Sequence, residues 1–240
     1  MEPAKNKLIV ALDVDSVKQA RQLVAQLCDV VGMFKVGSQL FTAAGPELVR
    51  EIVSAGNKVF LDLKFHDIPN TVAAAAVEAT RLGVSIFNVH ASGGSEMMER
   101  TAYAVAETSQ QERLTKPAVI AVTLLTSANT NTLHEIGIHA QPDELVTHLA
   151  QMAASAGLDG VVASAMEAPI IRTATAPDFL IVTPGVRPAG ATAGDQKRIA
   201  TPREAVERGA DYIVVGRPIL DAPDPIQAAA QIIEEIADAS

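Results

Sequence analysis

The sequence predicts an α/β protein folded as a (β/α)8 barrel, the TIM-barrel architecture, with residues 1–240 forming a single domain. Three observations carry this expectation. Short apolar runs alternate with segments of helical period from end to end, the runs number eight, and 240 residues is the usual length of one such barrel. Hydrophobic residues make up 48% of the chain but aromatic ones only 3%, with no Trp. The core therefore has to be built from Val, Ile, Leu and Ala, the usual filling of a parallel sheet covered by helices on both faces.

Taken in order, the polar stretch 1–7 leads straight into the first strand, 8–12, and has no signal-peptide apolar region, so a cytoplasmic location is expected. Helix 16–28 and strand 33–36 follow, then helix 46–55 and strand 59–63, helix 69–82 and strand 86–89, and helix 95–108 and strand 118–122. Residues 123–141 are polar and rich in Thr and Asn, which reads as an active-site loop containing a short helix. Helix 142–156, strand 160–162, helix 166–175, strand 179–182, helix 202–208, strand 212–215 and a last helix, 224–237, complete the series. Pro46, Pro69, Pro142 and Pro202 stand at first-turn positions, where a missing N–H costs nothing. Gly56, Gly83, Gly157 and Gly209 stand where helices should stop. Strand–helix alternation implies parallel strands joined by right-handed crossovers, and eight such units close a barrel.

Charge narrows the function classes. A net charge of −9 argues against non-specific nucleic-acid binding, although a local Lys/Arg cluster can still hold a small anion. No run of about 18 apolar residues suggests a membrane span. Cys28 is the only cysteine, so no intramolecular disulfide can form; its helical context suggests a small buried apolar residue. His134, His139 and His148 lack metal-ligand spacing, and no metal site is expected. Asp15 reads as a helix N-cap.

In a barrel of this kind function collects at the C-terminal ends of the strands. Those ends carry Asp13, then Lys35-Val36-Gly37, then Asp62-Leu63-Lys64, then Asn88-Val89-His90. Thr123, Thr126 and Ser127 follow the fifth strand, Pro184-Gly185-Val186-Arg187-Pro188 the seventh, and Gly216-Arg217 the eighth. Charged residues directly after apolar strands are costly unless paired or useful. Asp62 and Lys64, two apart, should point to one side of a strand, with Lys35 arriving from its neighbour. Lys35, Asp62, Lys64 and Asp67 can thus form one alternating array. Loops after strands seven and eight are the usual phosphate position in barrels; Gly216 allows close backbone approach and Arg217 offers a cationic fork. The P-loop and dinucleotide patterns are absent.

The run Asp62-Leu63-Lys64-Phe65-His66-Asp67-Ile68-Pro69-Asn70-Thr71 resembles the signature of the orotidine 5'-phosphate decarboxylase family. Ala11-Leu12-Asp13, Phe34-Lys35-Val36-Gly37, Asn88-Val89-His90-Ala91-Ser92-Gly93-Gly94, Pro184-Gly185-Val186-Arg187-Pro188, Gly194-Asp195-Gln196 and Val215-Gly216-Arg217-Pro218 extend the resemblance over essentially the whole chain. The resemblance implies decarboxylation of orotidine monophosphate to uridine monophosphate without metal or organic cofactor, by a homodimer with shared sites. It implies that Lys64 is the proton donor, that Asp62 sits beside the substrate carboxylate, and that Lys35 holds Asp62 and contacts the ribose. Asp67 and Thr71 would come from the partner subunit, and Asp13 would bind a ribose hydroxyl. Thr126 and Ser127 would lie near the pyrimidine, and Arg187, Gln196, Gly216 and Arg217 on the phosphate. Leu63, Phe65, His66, Ile68, Pro69 and Asn70 complete the signature and count with the substrate-binding set, His66 chiefly in a structural role. The 185–196 loop is expected to close over ligand. Two alternatives are a magnesium-dependent sugar-phosphate decarboxylase or aldolase of the same superfamily and a non-catalytic phosphate-binding barrel. The first tends to carry a metal-binding Glu where this chain has Lys35. The second would be expected to have lost a member of the array.

Overall fold

The computed structural model describes residues 4–188 and 200–239. Its centre is a closed barrel of parallel strands in sequential order, β1 (Leu8–Ala11), β2 (Met33–Gly37), β3 (Val59–Phe65), β4 (Ile86–His90), β5 (Ala118–Val122), β6 (Gly160–Val162), β7 (Leu180–Pro184) and β8 (Tyr212–Val215), with β8 pairing back onto β1. All eight runs identified in the sequence are strands, and their bounds differ by no more than two residues at either end.

Period-two alternation sorts the strand residues into two cores. Ile9, Met33, Phe60, Ile86, Ile120, Val162, Val182 and Val214 point into the barrel and pack on one another. Leu8, Val10, Phe34, Leu61, Phe87, Val119, Ile181 and Ile213 point outward, against the helices. The interior is thus a packed plug, and the next inward-facing residues toward the C-terminal ends have no apolar layer above them. On β2, β3 and β4 those are Lys35, Asp62 and Asn88; the corresponding positions of β1 and β5 are the apolar Ala11 and Val122, and Asp13 follows just beyond β1.

The helices are α1 (Val17–Leu27), α2 (Ser38–Ala44), α3 (Pro46–Ser54), α4 (Pro69–Arg81), α5 (Ser95–Glu112), α6 (Thr130–Glu135), α7 (Pro142–Ser155), α8 (Ala168–Ala174), α9 (Pro202–Glu207), α10 (Arg217–Leu220) and α11 (Pro225–Ala237). The four prolines noted in the sequence each open a helix. The short helix expected within 123–141 is α6, whose N-cap Asn129 accepts the Thr132 N–H on its Oδ1.

Several features depart from the sequence expectations. Helices α2 and α10 have no counterpart there: α2 is seven residues long and buries only Leu40, and α10 is a single turn of four residues, both too short for a periodic signal. Gly45, at φ 65°, separates α2 from α3. Cys28 is exposed rather than buried, because it falls at the C-cap of α1, one step beyond the buried Leu27. The N-cap of that helix is Ser16, whose Oγ accepts the Gln19 N–H, while Asp15 instead accepts a hydrogen bond from Gln39 Nε2. Among the described residues no helix is long and apolar enough to cross a membrane.

Candidate active site

The C-terminal mouth of the barrel opens into a cavity of about 480 Å3 lined by residues of β1, β2, β3, β7 and β8 and of the segments that follow them. At its floor Lys35 Nζ lies 3.0 Å from Asp13 Oδ1 and 3.3 Å from Asp62 Oδ2. Lys64 Nζ lies 2.6 Å from Asp62 Oδ1. Two ammonium groups and two carboxylates therefore alternate, with Asp62 between both lysines. The Lys35 side chain is 11% exposed and that of Asp62 13%, against 35% for Lys64. Both ammonium groups line the cavity, Lys64 the more openly, and Lys35 held between two carboxylates.

Period-two geometry alone does not bring Asp62 and Lys64 together. The pairing of β3 with β4 shifts register between Leu61 and Phe65, and Lys64 adopts φ 53°, a left-handed conformation unusual for a non-glycine residue. This bulge turns Lys64 onto Asp62 while Leu63 and Phe65 pack against the outer core, and Phe65 rests 6.0 Å from Phe87. Leu63 and Phe65 thus support the site from behind and do not line its cavity within one chain. A polar residue that the sequence places at the end of the fourth strand, without a role, sits here too. Asn88, on β4, contacts both Asp62 and the Lys64 backbone. Its signal was a polar residue on the interior face of an otherwise apolar strand, two positions after Ile86.

The rest of the signature runs along the rim. His66, Asp67, Ile68, Asn70 and Thr71 are exposed, and Pro69 opens α4. Asp67 makes no ion pair with Lys64 of its own chain; its Oδ1 accepts the Ile68 N–H at 2.6 Å. Asn70 Oδ1 accepts a hydrogen bond from Arg100 on α5. His66 stacks on His90 with ring centroids 5.5 Å apart.

Gly185, Arg187, Gly216 and Arg217 line the same cavity; Arg187 is buried and Arg217 exposed. An adjoining, mostly apolar recess of about 180 Å3 is lined by Lys35, Asp62, Lys64, Val122, Leu124 and Thr126, among others. Ser127 is exposed beside it. Gln196 and most of the 185–196 loop lie outside the described residues. At the other end of the barrel a groove of about 490 Å3 includes Lys116 and Asp159, but these pair with each other at 2.8 Å, which leaves that cation engaged. The three histidines set aside in the sequence are exposed, and among the described residues no group of three or more His, Cys, Asp or Glu could hold a metal ion.

Burial, followed by the charges of His66 and Lys64, pushes the His90 imidazole below its ordinary pKa of 6.5. The folded state therefore takes up this proton less readily than the unfolded chain, and stability rises with pH through that window and falls on acidification. Thermal unfolding followed from neutral to mildly acidic pH should show a smaller acid-side loss in His90→Asn than in the parent. An equal loss would place the acid sensitivity elsewhere.

A closed barrel whose mouth holds lysine–aspartate pairs, with glycine and arginine lining the same cavity, defines a class: barrel proteins with an open, charged pocket at the C-terminal ends of the strands. Within that class the chain belongs to the Orotidine 5'-phosphate decarboxylase / HUMPS family, which it matches over residues 6–232. It is 56% identical over 235 residues to orotidine 5'-phosphate decarboxylase of Geobacter sulfurreducens, with 98% of each chain covered. It is 53% identical over 234 residues to the protein of that name from Moorella thermoacetica, covering 97% of this chain and 93% of the other. The crystal structure of orotidine 5'-phosphate decarboxylase from Lactobacillus acidophilus superposes with a TM-score of 0.84 at 38% identity, covering 95% of this chain and 98% of that one.

Proposed function

We propose that the chain removes carbon dioxide from orotidine 5'-monophosphate to give uridine 5'-monophosphate, the last step of de novo pyrimidine biosynthesis, without metal or organic cofactor. The observation that carries this reading is the partly exposed Lys64 ammonium, 2.6 Å from Asp62, in a cavity that Gly216 and Arg217 also line. The bond between the ring carbon and the carboxylate breaks, its electron pair remains on the ring carbon, and Lys64 delivers the proton that replaces carbon dioxide. Asp62 faces the departing carboxylate, and their repulsion is relieved as it leaves. Lys35 braces Asp62 and reaches the ribose with Asp13, and Thr126 and Ser127 stand near the pyrimidine.

The phosphate sits against Arg187, Gly216 and Arg217, far from the reacting carbon, and supplies binding energy that holds the ring over the array. A charge-assisted arginine–phosphate contact is worth about 1.5–3 kcal/mol, so Arg217→Ala should lower kcat/KM by roughly 10- to 100-fold in steady-state kinetics. An unchanged value would remove Arg217 from the phosphate site. A second subunit contributes Asp67 and Thr71, a reading supported by their exposure on the rim and by the absence of an Asp67–Lys64 ion pair within the chain.

The sugar-phosphate chemistry of magnesium-dependent relatives fits less well. The Lys35 ammonium lies between Asp13 and Asp62, where it would repel a divalent cation. The deciding experiment follows the ultraviolet absorbance of orotidine monophosphate with purified protein and excess chelator. Turnover that survives chelation supports the reading. Failure to turn over this substrate, combined with magnesium-dependent activity on sugar phosphates, would replace it.

A further inference from the structure

Asn88 sits behind the charged array and bonds to two of its members. It follows Ile86 on the inward face of β4 and is 0% exposed. Its Oδ1 accepts the backbone N–H of Lys64 at 2.8 Å, and its Nδ2 donates to Asp62 Oδ1 at 2.7 Å. The orientation of the amide follows from chemistry: the Lys64 N–H can only donate, so the oxygen must face it and the NH2 group must face the carboxylate.

We infer that Asn88 is a positioning residue for decarboxylation, a clamp that holds Lys64 in its left-handed backbone conformation and fixes Asp62 against it. This rests on the proposed roles of those two residues. A non-glycine residue at φ 53° persists only where its surroundings over-determine it. In β3 the ladder to β4 is interrupted at this point, since pairing resumes only at Phe65 with Val89. The Asn88 side chain takes over there, giving the Lys64 N–H an acceptor where the register shift interrupts the strand pairing. The same amide places a second donor on Asp62 Oδ1, which already receives Lys64 Nζ at 2.6 Å. One buried side chain thus sets both the backbone that carries the ammonium and the carboxylate that the ammonium faces. Without it Lys64 can relax toward an extended conformation and carry its ammonium away from the reacting carbon. A displacement of about 1 Å can cost on the order of 100-fold in rate.

The expected signature is a loss of kcat without a loss of binding, because Asn88 bonds to Lys64 and Asp62 and to none of the residues proposed to hold the phosphate. Asn88→Ala should lower kcat by about 100-fold per binding-competent site while KM and the affinity for uridine monophosphate stay within about threefold. Calorimetric titration with uridine monophosphate counts the competent sites, so a partly misfolded preparation cannot imitate the result. If Asn88→Ala does not fold, the near-isosteric Asn88→Asp decides on the same criterion. It keeps an acceptor for the Lys64 N–H but sets a carboxylate against Asp62, and kcat should fall at least about tenfold with affinity retained. A kcat within about threefold of the parent in the folded variant, or a loss confined to KM, overturns the inference. A parent protein that does not decarboxylate orotidine monophosphate sinks the underlying reading instead, whereas an active parent with an indifferent Asn88 sinks only the clamp.

Discussion

Lys64→Ala is expected to lower kcat by about five powers of ten, with KM changed far less. Two contributions are lost together. A unit charge pair about 4 Å apart is worth roughly 4 kcal/mol at an effective dielectric of 20, or nearly three powers of ten in rate, and it acts here on charge that develops only as the carbon–carbon bond breaks. A positioned proton donor typically adds about two to four powers more. On the proposed reading one side chain would supply both, so the terms would not simply sum. Binding should survive, since the glycines and arginines that line the cavity are untouched. The fold should survive as well, because the Lys64 side chain is 35% exposed and its removal opens no core cavity. Asp62 keeps Lys35 and Asn88 as partners. Ultraviolet assay of the purified variant, with its unfolding midpoint as control, checks this. A loss smaller than about tenfold would assign the proton to another group.

Which lysine donates is a matter of enclosure, and Lys35 and Lys64 differ there. Lys35 is held between two carboxylates, so moving its proton would leave Asp13 and Asp62 facing each other across an uncharged amine. Lys64 has one carboxylate partner and an open side toward the cavity. On the proposed reading the enclosed cation would brace the array and the more open one would react.

The strands were legible because the outward layer, with residues such as Val10, Leu61 and Ile213, and the inward layer, with Ile9, Phe60 and Val214, are both apolar and leave continuous runs. The site was legible for a related reason: once the interior layer is filled, the positions beyond it, Asp13, Lys35 and Asp62, carry charge that a packed core would not tolerate unpaired. Local geometry was less accessible. Adjacency of Asp62 and Lys64 was expected from strand alternation, yet it comes from a bulge and a positive φ at Lys64 that no residue type announces. Asn88 stands at a strand end in the sequence, but an uncharged amide there announces no role until its two partners are known. Cys28 was misjudged because one residue past the end of α1 the apolar stripe no longer faces the core.

Mixing two inactive variants, Lys64→Ala and Asp67→Ala, should restore about one quarter of the parent activity per chain after subunit exchange. Random pairing makes half of the dimers mixed, and each mixed dimer holds one site with both residues intact. The physical case for a shared site lies in where Asp67 stands. Within its own chain it is exposed on the rim, its carboxylate turned to the Ile68 N–H, next to an Ile68 side chain that is 67% exposed. In water a carboxylate there would interact only weakly with a cation in the cavity. A partner subunit that covers the Ile68 rim would exclude that water and bring its own Asp67 beside Lys64, lengthening the alternation of charge by one member. If Asp67 acted on the lysine of its own chain, each mixed dimer would contain one dead site of each kind and mixing would restore nothing. Recovery with the Lys64→Ala partner, and none when the partner carries both substitutions, would establish that the charge crosses the interface.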